Sequence, residues 1–213
     1  MPTFIVNTPT WLVEFRRQFV LSPGLLEASL NAGTHQLVFK NTYREPISGM
    51  VRLIGPENWE IRPSRITFAL KPGQEHRQPL EIRFPINAEA GVKALLGEFA
   101  IDADRRYQLA MPAWFELGLQ DISLETYAFR KGSNAVIRVC ITNHTPQPVS
   151  FDGDLITPGR QRISRLFQGV MPGQSVTKEY ALAQAAELVG RNVRVHFNER
   201  QGSRVWNRLV LVP

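Results

Sequence analysis

The chain has 213 residues, a formal net charge of +6, and is 43% hydrophobic and 21% charged. That composition can bury real cores and sets disorder aside, and the length allows one or two domains. The basic balance suits anionic partners, but its 20 arginines and 5 lysines are scattered in pairs and spaced triplets such as Arg160, Arg162 and Arg165. A nucleic-acid binder concentrates such charge on one element, so nucleic acid is not the expected partner.

Residues 1–20 stand apart as an N-terminal extension or the remnant of a preceding domain. Their apolar side chains, Phe4, Ile5, Val6, Trp11, Leu12, Val13 and Phe15, must pack on something, as an extra strand or as the end of another domain. Pro9, Glu14, Arg16 and Arg17 interrupt any signal-peptide core. No segment reaches the roughly 18 apolar residues needed to cross a bilayer. The chain is therefore read as a cytosolic protein or as a piece of a longer exported one.

From Ser22-Pro23-Gly24 onward the period is two. His35–Lys40, Met50–Ile54, Arg65–Leu70, Leu80–Phe84, Gly97–Ile101 and Tyr107–Trp114 read as strands separated by Gly and Pro turns. The second half repeats the plan. Ala135–Thr142 followed by Asn143 mirrors His35–Lys40 followed by Asn41. Met171-Pro172-Gly173-Gln174 matches Lys71-Pro72-Gly73-Gln74 at a spacing of 100 residues, the size of one immunoglobulin-like domain. The expected fold is all-β: two tandem immunoglobulin-like antiparallel β-sandwiches, at 21–117 and 118–213. Ala181–Leu188 is the one helix-like stretch, expected as a short crossover.

Residues 37–91 resemble a known family. The features are the Asn after the first strand, Gly55-Pro56 before Trp59, Pro63-Ser64 before Ile66, Pro72-Gly73 and Phe84-Pro85. This stretch looks like the NPCBM-associated β-sandwich domains found beside bacterial alpha-galactosidases, a pattern shared in outline with major sperm protein-like sandwiches. The resemblance implies an accessory role and an extracytoplasmic setting, and carries no catalytic residues across. Read on its own, Trp59 is a core plug, and Gly73 suits a turn position that needs positive φ.

The residues offer no enzyme chemistry and imply no cofactor. His35, His76, His144 and His196 fall on separate segments without metal-ligand spacing. Asp102/Asp104 and Asp152/Asp154 read as turn residues rather than calcium ligands. Cys140, the single cysteine, excludes an internal disulfide and reads as a small buried hydrophobe. No nucleophile elbow or phosphate loop is present.

One candidate surface emerges in the second half. If Val193, Val195 and Phe197 point inward, Arg194 and His196 point out. If Leu209 and Leu211 point inward, Trp206 and Arg208 point out beside them, and Arg138 joins from a neighbouring strand. Arg and Trp are the usual anchors of binding surfaces. The plain alternative is a solvated sheet face with Trp206 packed under arginine stems, so burial of Trp206 decides. The reading that follows is a non-catalytic interaction or spacer module serving another protein or a polysaccharide. Two alternatives stand beside it. One is a two-domain pilus-type chaperone that donates a strand to its partner. The other is a carbohydrate-binding module, which needs a row of exposed aromatic rings drawn from Trp11, Trp59, Trp114 and Trp206.

Overall fold

Alternating apolar and polar side chains make strands. The computed structural model contains sixteen of them and one α-helix among its described residues, 9–31 and 33–213. The chain is all-β and of two-domain immunoglobulin-like sandwich type. It divides into two compact units. The first takes 9–26, 33–85 and Val92–Glu116; the second takes Glu27–Asn31, Ile86–Gly91 and Leu117–Pro213.

The first unit opens with α1 (Thr10–Arg17), then β1 (Val20–Ser22), β2 (Leu25–Glu27), β3 (Gly33–Lys40), β4 (Ile47–Ile54) and β5 (Glu60–Arg62). It continues with β6 (Arg65–Leu70), β7 (Glu75–Arg83), β8 (Gly91–Asp102) and β9 (Arg106–Gly118). One sheet runs β1-β3-β7-β5 and the other β2-β9-β8-β4-β6. Between them Phe39, Phe68 and Phe99 meet edge to face or tilted, with Phe39–Phe99 centroids 5.5 Å apart. The close approach of rings leaves no room at Gly97, where an added Cβ would lie 2.7 Å from the Phe19 ring and 2.8 Å from that of Phe99.

The second unit contains β10 (Ile122–Lys131), β11 (Asn134–Asn143), β12 (Val149–Ile156), β13 (Ile163–Val170), β14 (Ser175–Leu182), β15 (Asn192–Glu199) and β16 (Val205–Leu211). Its sheets run β10-β11-β14 and β13-β12-β15-β16. The core holds Phe151, Phe167, Phe197, Tyr180 and Trp206. A Cβ at Gly153 would fall 2.5 Å from the Phe197 ring and 2.6 Å from the Tyr180 hydroxyl. That hydroxyl is buried with no hydrogen-bond partner among the described residues, and burial, aided by nearby Asp154, raises it above the usual phenol range.

The internal repeat has a physical basis. Asn41 and Asn143 are both fully buried, each at the end of the strand that begins its repeat. Asn41 Nδ2 donates to Glu45 O and Leu70 O, and its Oδ1 accepts from Tyr43 N–H. Asn143 Nδ2 donates to Gln147 O and Val170 O, and its Oδ1 accepts from Thr145 N–H. The backbone of each also pairs with its Pro-Gly-Gln turn: Gly73 N–H donates to Asn41 O, and Gly173 N–H to Asn143 O. Gly73 (φ 73°) and Gly173 (φ 75°) hold the left-handed positions that favour glycine. Each asparagine thus satisfies backbone groups from three segments, which explains why the same residues stand at the same spacing in both halves.

Three elements depart from the sequence expectation. Thr10–Arg17 is a helix rather than an added strand. Its Phe15 is fully buried against Phe39 and Phe99, and Trp11 packs on Tyr43 and Tyr107, so the segment belongs to the first unit's own core. Phe4, Ile5 and Val6 lie outside the described residues. Of Ala181–Leu188, the first two residues complete β14 and only Ala185–Leu188 is helical, as a single 3-10 turn. β8 starts at Gly91, six residues before the expected Gly97, and that added length builds the surface described next.

Candidate functional site

The outward face of a solvated sheet is expected to be polar. On the five-stranded sheet of the first unit it carries large apolar side chains among the polar ones. β8 buries Leu95, Gly97, Phe99 and Ile101 and turns Val92, Ala94, Leu96, Glu98 and Ala100 outward. β4 sets Ile54 opposite Leu96, Arg52 opposite Glu98 and Met50 opposite Ala100. β6 adds Arg65 opposite Arg52 and Thr67 opposite Met50. β9 turns out Gln108, Ala110, Pro112 and Trp114 between the buried Met111, Ala113 and Phe115. Val92 is 68% exposed, Trp114 64%, Met50 41% and Ile54 37%.

A charged pair interrupts the apolar row, between Met50 and Ala100 on one side and Ile54 and Leu96 on the other. Arg52 and Glu98 form an ion pair at 2.6 Å, and Arg65 stands beside them. Together with Met50, Ala100 and Ala110 these residues line an open groove of about 550 Å³. The exposed apolar side chains thus lie beside an arginine–glutamate pair and one exposed tryptophan. No group of three or more potential metal ligands occurs among the described residues.

β9 also has an open side. Glu116 N–H donates to Gly24 O, so even-numbered residues of β9 direct their backbone groups away from β8, toward β2. β2 is three residues long and β9 thirteen. Most of that side therefore has no strand beyond it among the described residues. Pro112 falls in the same phase and removes one outward donor, a position where proline costs the sheet no ladder bond.

The residues singled out from the sequence do not form one surface. Trp206 is 6% exposed, and its ring meets Phe197 at 6.1 Å inside the second unit. The parity of β16 is the reverse of the one assumed: Trp206 pairs with the inward Phe197 and Arg208 with the inward Val195, while Leu209 and Leu211 face out. Arg208, between Trp206 and Val210 in the inward phase, is exposed. Arg138 lies in the other sheet, where its guanidinium donates twice to Glu179 Oε1 and sits over the Phe129 ring.

Arg194 and His196 do share the outer face of the four-stranded sheet; Arg194 Nε is buried there without a partner among the described residues, and several neighbours are paired. His196 Nδ1 lies 2.7 Å from Asn207 Oδ1, and Asn207 Nδ2 donates to Ile86 O and Ala88 O, so the imidazole carries its proton on Nδ1. Asp152 pairs with Arg200 at 2.9 Å and Asp154 with Arg162 at 3.2 Å. Of the four tryptophans, Trp11 and Trp59 are half-buried, so no row of exposed indoles exists for a sugar to stack on. Trp59 packs on Phe84 and Phe115.

The fold defines a class, the two-domain immunoglobulin-like β-sandwich proteins. No family model matches the chain, and no curated protein matches it. Among solved structures it is similar to the YadV chaperone at 15% identity, covering 91% of this chain and 100% of that one, with a TM-score of 0.33. A protein of unknown function from Porphyromonas gingivalis W83 matches at 16% identity over 92% of this chain and 100% of that one, TM-score 0.36. The Pseudomonas aeruginosa CupB2 chaperone matches at 17% identity over 91% and 98%, TM-score 0.27. These are likenesses of sandwich architecture and carry nothing about sites.

Proposed function

We propose that the chain is a non-catalytic interaction module that holds a protein partner on the outer face of the first unit's five-stranded sheet. The observation that supports this is the outward row Val92, Leu96, Ile54, Met50 and Trp114 on a face where polar side chains are expected. Burying such side chains contributes about 25 cal/mol per Å² of apolar area. The Arg52–Glu98 pair and Arg65, which line the groove, would fix orientation more than affinity. The accessory role implied by the NPCBM-associated resemblance agrees with this reading.

A photo-cross-linking residue at position 114, in cells that make the protein, tests it. A discrete protein adduct from position 114 but not from position 198, on the charged face of the second unit, is expected. Equal labelling from both positions, or none from 114, contradicts it.

The pilus-type chaperone reading has one observation in its favour, the long, sparsely covered side of β9, and one against it, Pro112 in the donor phase of that same side. Amide hydrogen exchange in the complex separates the two. Strand donation protects Gln108 and Ala110 N–H strongly, whereas docking on the face leaves them exchanging.

A further inference from the structure

The second unit has an open edge of a different kind. β10 pairs with β11 without a bulge over all ten residues, from Ile122↔Asn143 to Lys131↔Asn134. One step before that ladder, His144 N–H donates to Asp121 O. Odd-numbered residues of β10 therefore bond to β11, and Ile122, Leu124, Thr126, Ala128 and Arg130 direct N–H and C=O away from the sheet. β10 is terminal in its sheet order, so no strand is hydrogen-bonded to that side among the described residues.

Two other long edges are blunted. Pro112 interrupts β9. β16 is covered where Val205 N–H donates to Ala28 O and Asn207 O accepts from Ala90 N–H. β10 carries no proline and no bulge, and it is rich in strand-forming residues: Ile122, Leu124, Thr126, Tyr127 and Phe129.

We propose that β10 is a self-pairing edge, joining two copies of this chain as antiparallel neighbours about a two-fold axis at Ala128. The register follows from side-chain chemistry. Centred on Ala128, Glu125 of each copy faces Lys131 of the other, and Tyr127 faces Phe129. Glu125, Tyr127 and Lys131 are all exposed, and Phe129 is half-buried beneath the Arg138 guanidinium, 5.0 Å from its ring. These odd-numbered positions form the non-hydrogen-bonded pairs of the new ladder, where facing side chains approach most closely.

Centring one residue earlier sets Tyr127 on itself and Glu125 against Phe129. Two residues earlier, Glu125 meets Tyr127 and Ser123 meets Phe129. Only the Ala128 centre joins opposite charges and aromatic rings at once. It continues the three-stranded sheet into a six-stranded one without moving either core.

The test is sedimentation equilibrium on the full chain from about 1 to 300 μM, a range suited to a single strand pairing smaller than a standard interface. A monomer–dimer equilibrium within that range is expected. Lys131→Glu places Glu against Glu twice across the axis and is expected to weaken dimerisation about tenfold or more. Adding Glu125→Lys restores the charge pairs with their signs exchanged and is expected to bring the dissociation constant back to within about threefold of the parent. Both substitutions are on the solvent face, so folding is not at issue. A monomer throughout overturns the proposal and leaves the edge to a strand from another protein. A dimer that ignores Lys131→Glu, or that the second change does not rescue, overturns it equally.

Discussion

The outer faces of two sheets, one in each unit, share an architecture and differ in everything that meets solvent. On the five-stranded sheet of the first unit, cross-strand neighbours are Ile54 with Leu96 and Met50 with Ala100, and Val92 and Trp114 are exposed. On the four-stranded sheet of the second, they are Asp154 with His196 and Asp152 with Asn198, tied off by Arg162, Arg200 and Asn207. The interiors are held alike by the asparagine and its Pro-Gly-Gln turn. A common plan fixes inward side chains and turns, and outward rows are free to diverge, so function is to be sought in the rows that differ.

The largest effects should come from breaking what the units share. Asn41→Ala removes the bonds to Glu45 O, Leu70 O and Tyr43 N–H, and Asn143→Ala those to Gln147 O, Val170 O and Thr145 N–H, one of the two carbonyl bonds being buried in each case. Each should destabilise its own unit by about 2–4 kcal/mol, and by similar amounts. Denaturant unfolding followed by unit-specific hydrogen exchange measures this. A large loss for one and none for the other would break the equivalence of the two repeats.

Gly153→Ala comes next. Its Cβ meets the Phe197 ring and the Tyr180 hydroxyl, so a loss of about 1–3 kcal/mol is expected in the second unit. Tyr180→Phe works in the opposite direction. It removes a buried hydroxyl without a partner among the described residues, and should be neutral or stabilising by up to about 1 kcal/mol.

A pH dependence sharpens the comparison further. Burial lowers His76 in the first unit below the ordinary imidazole value; the ring stacks on Phe39 at 4.8 Å. The unfolded chain then takes up the proton before the folded one as pH falls. The first unit should be steady above about pH 6.5 and lose stability below it, through the pH range under the unfolded value. His76→Gln should remove that part of the slope, measured as the difference between variant and parent across pH 5–8.

Much of this was legible in the sequence, and the gaps have physical causes. The repeat was readable because Asn41/Asn143 and the two Pro-Gly-Gln turns have backbone duties that no other residues perform as well. α1 was not, since eight residues cannot hold a helix alone; packing of Leu12 and Phe15 on the sandwich decides it. In β16, Val205 and Trp206 are adjacent and both buried, which spoils the alternation, and a one-residue error in parity exchanged Trp206 for Leu209 and Leu211. The apolar face of the first unit was hidden for the opposite reason. In β8, outward Val92, Ala94 and Leu96 alternate with inward Leu95, Gly97 and Phe99, so hydrophobicity shows no period to read.

On the reading proposed above, the outward apolar row serves a partner and not the fold. It is tested most directly by one variant, Val92→Ser with Leu96→Ser and Trp114→Ser, assayed for unfolding free energy and for the adduct formed from a cross-linker at the neighbouring position 110. Stability within about 1 kcal/mol of the parent is expected, together with loss of the adduct. Collapse of the first unit's stability, or an adduct formed as efficiently as in the parent, would contradict it.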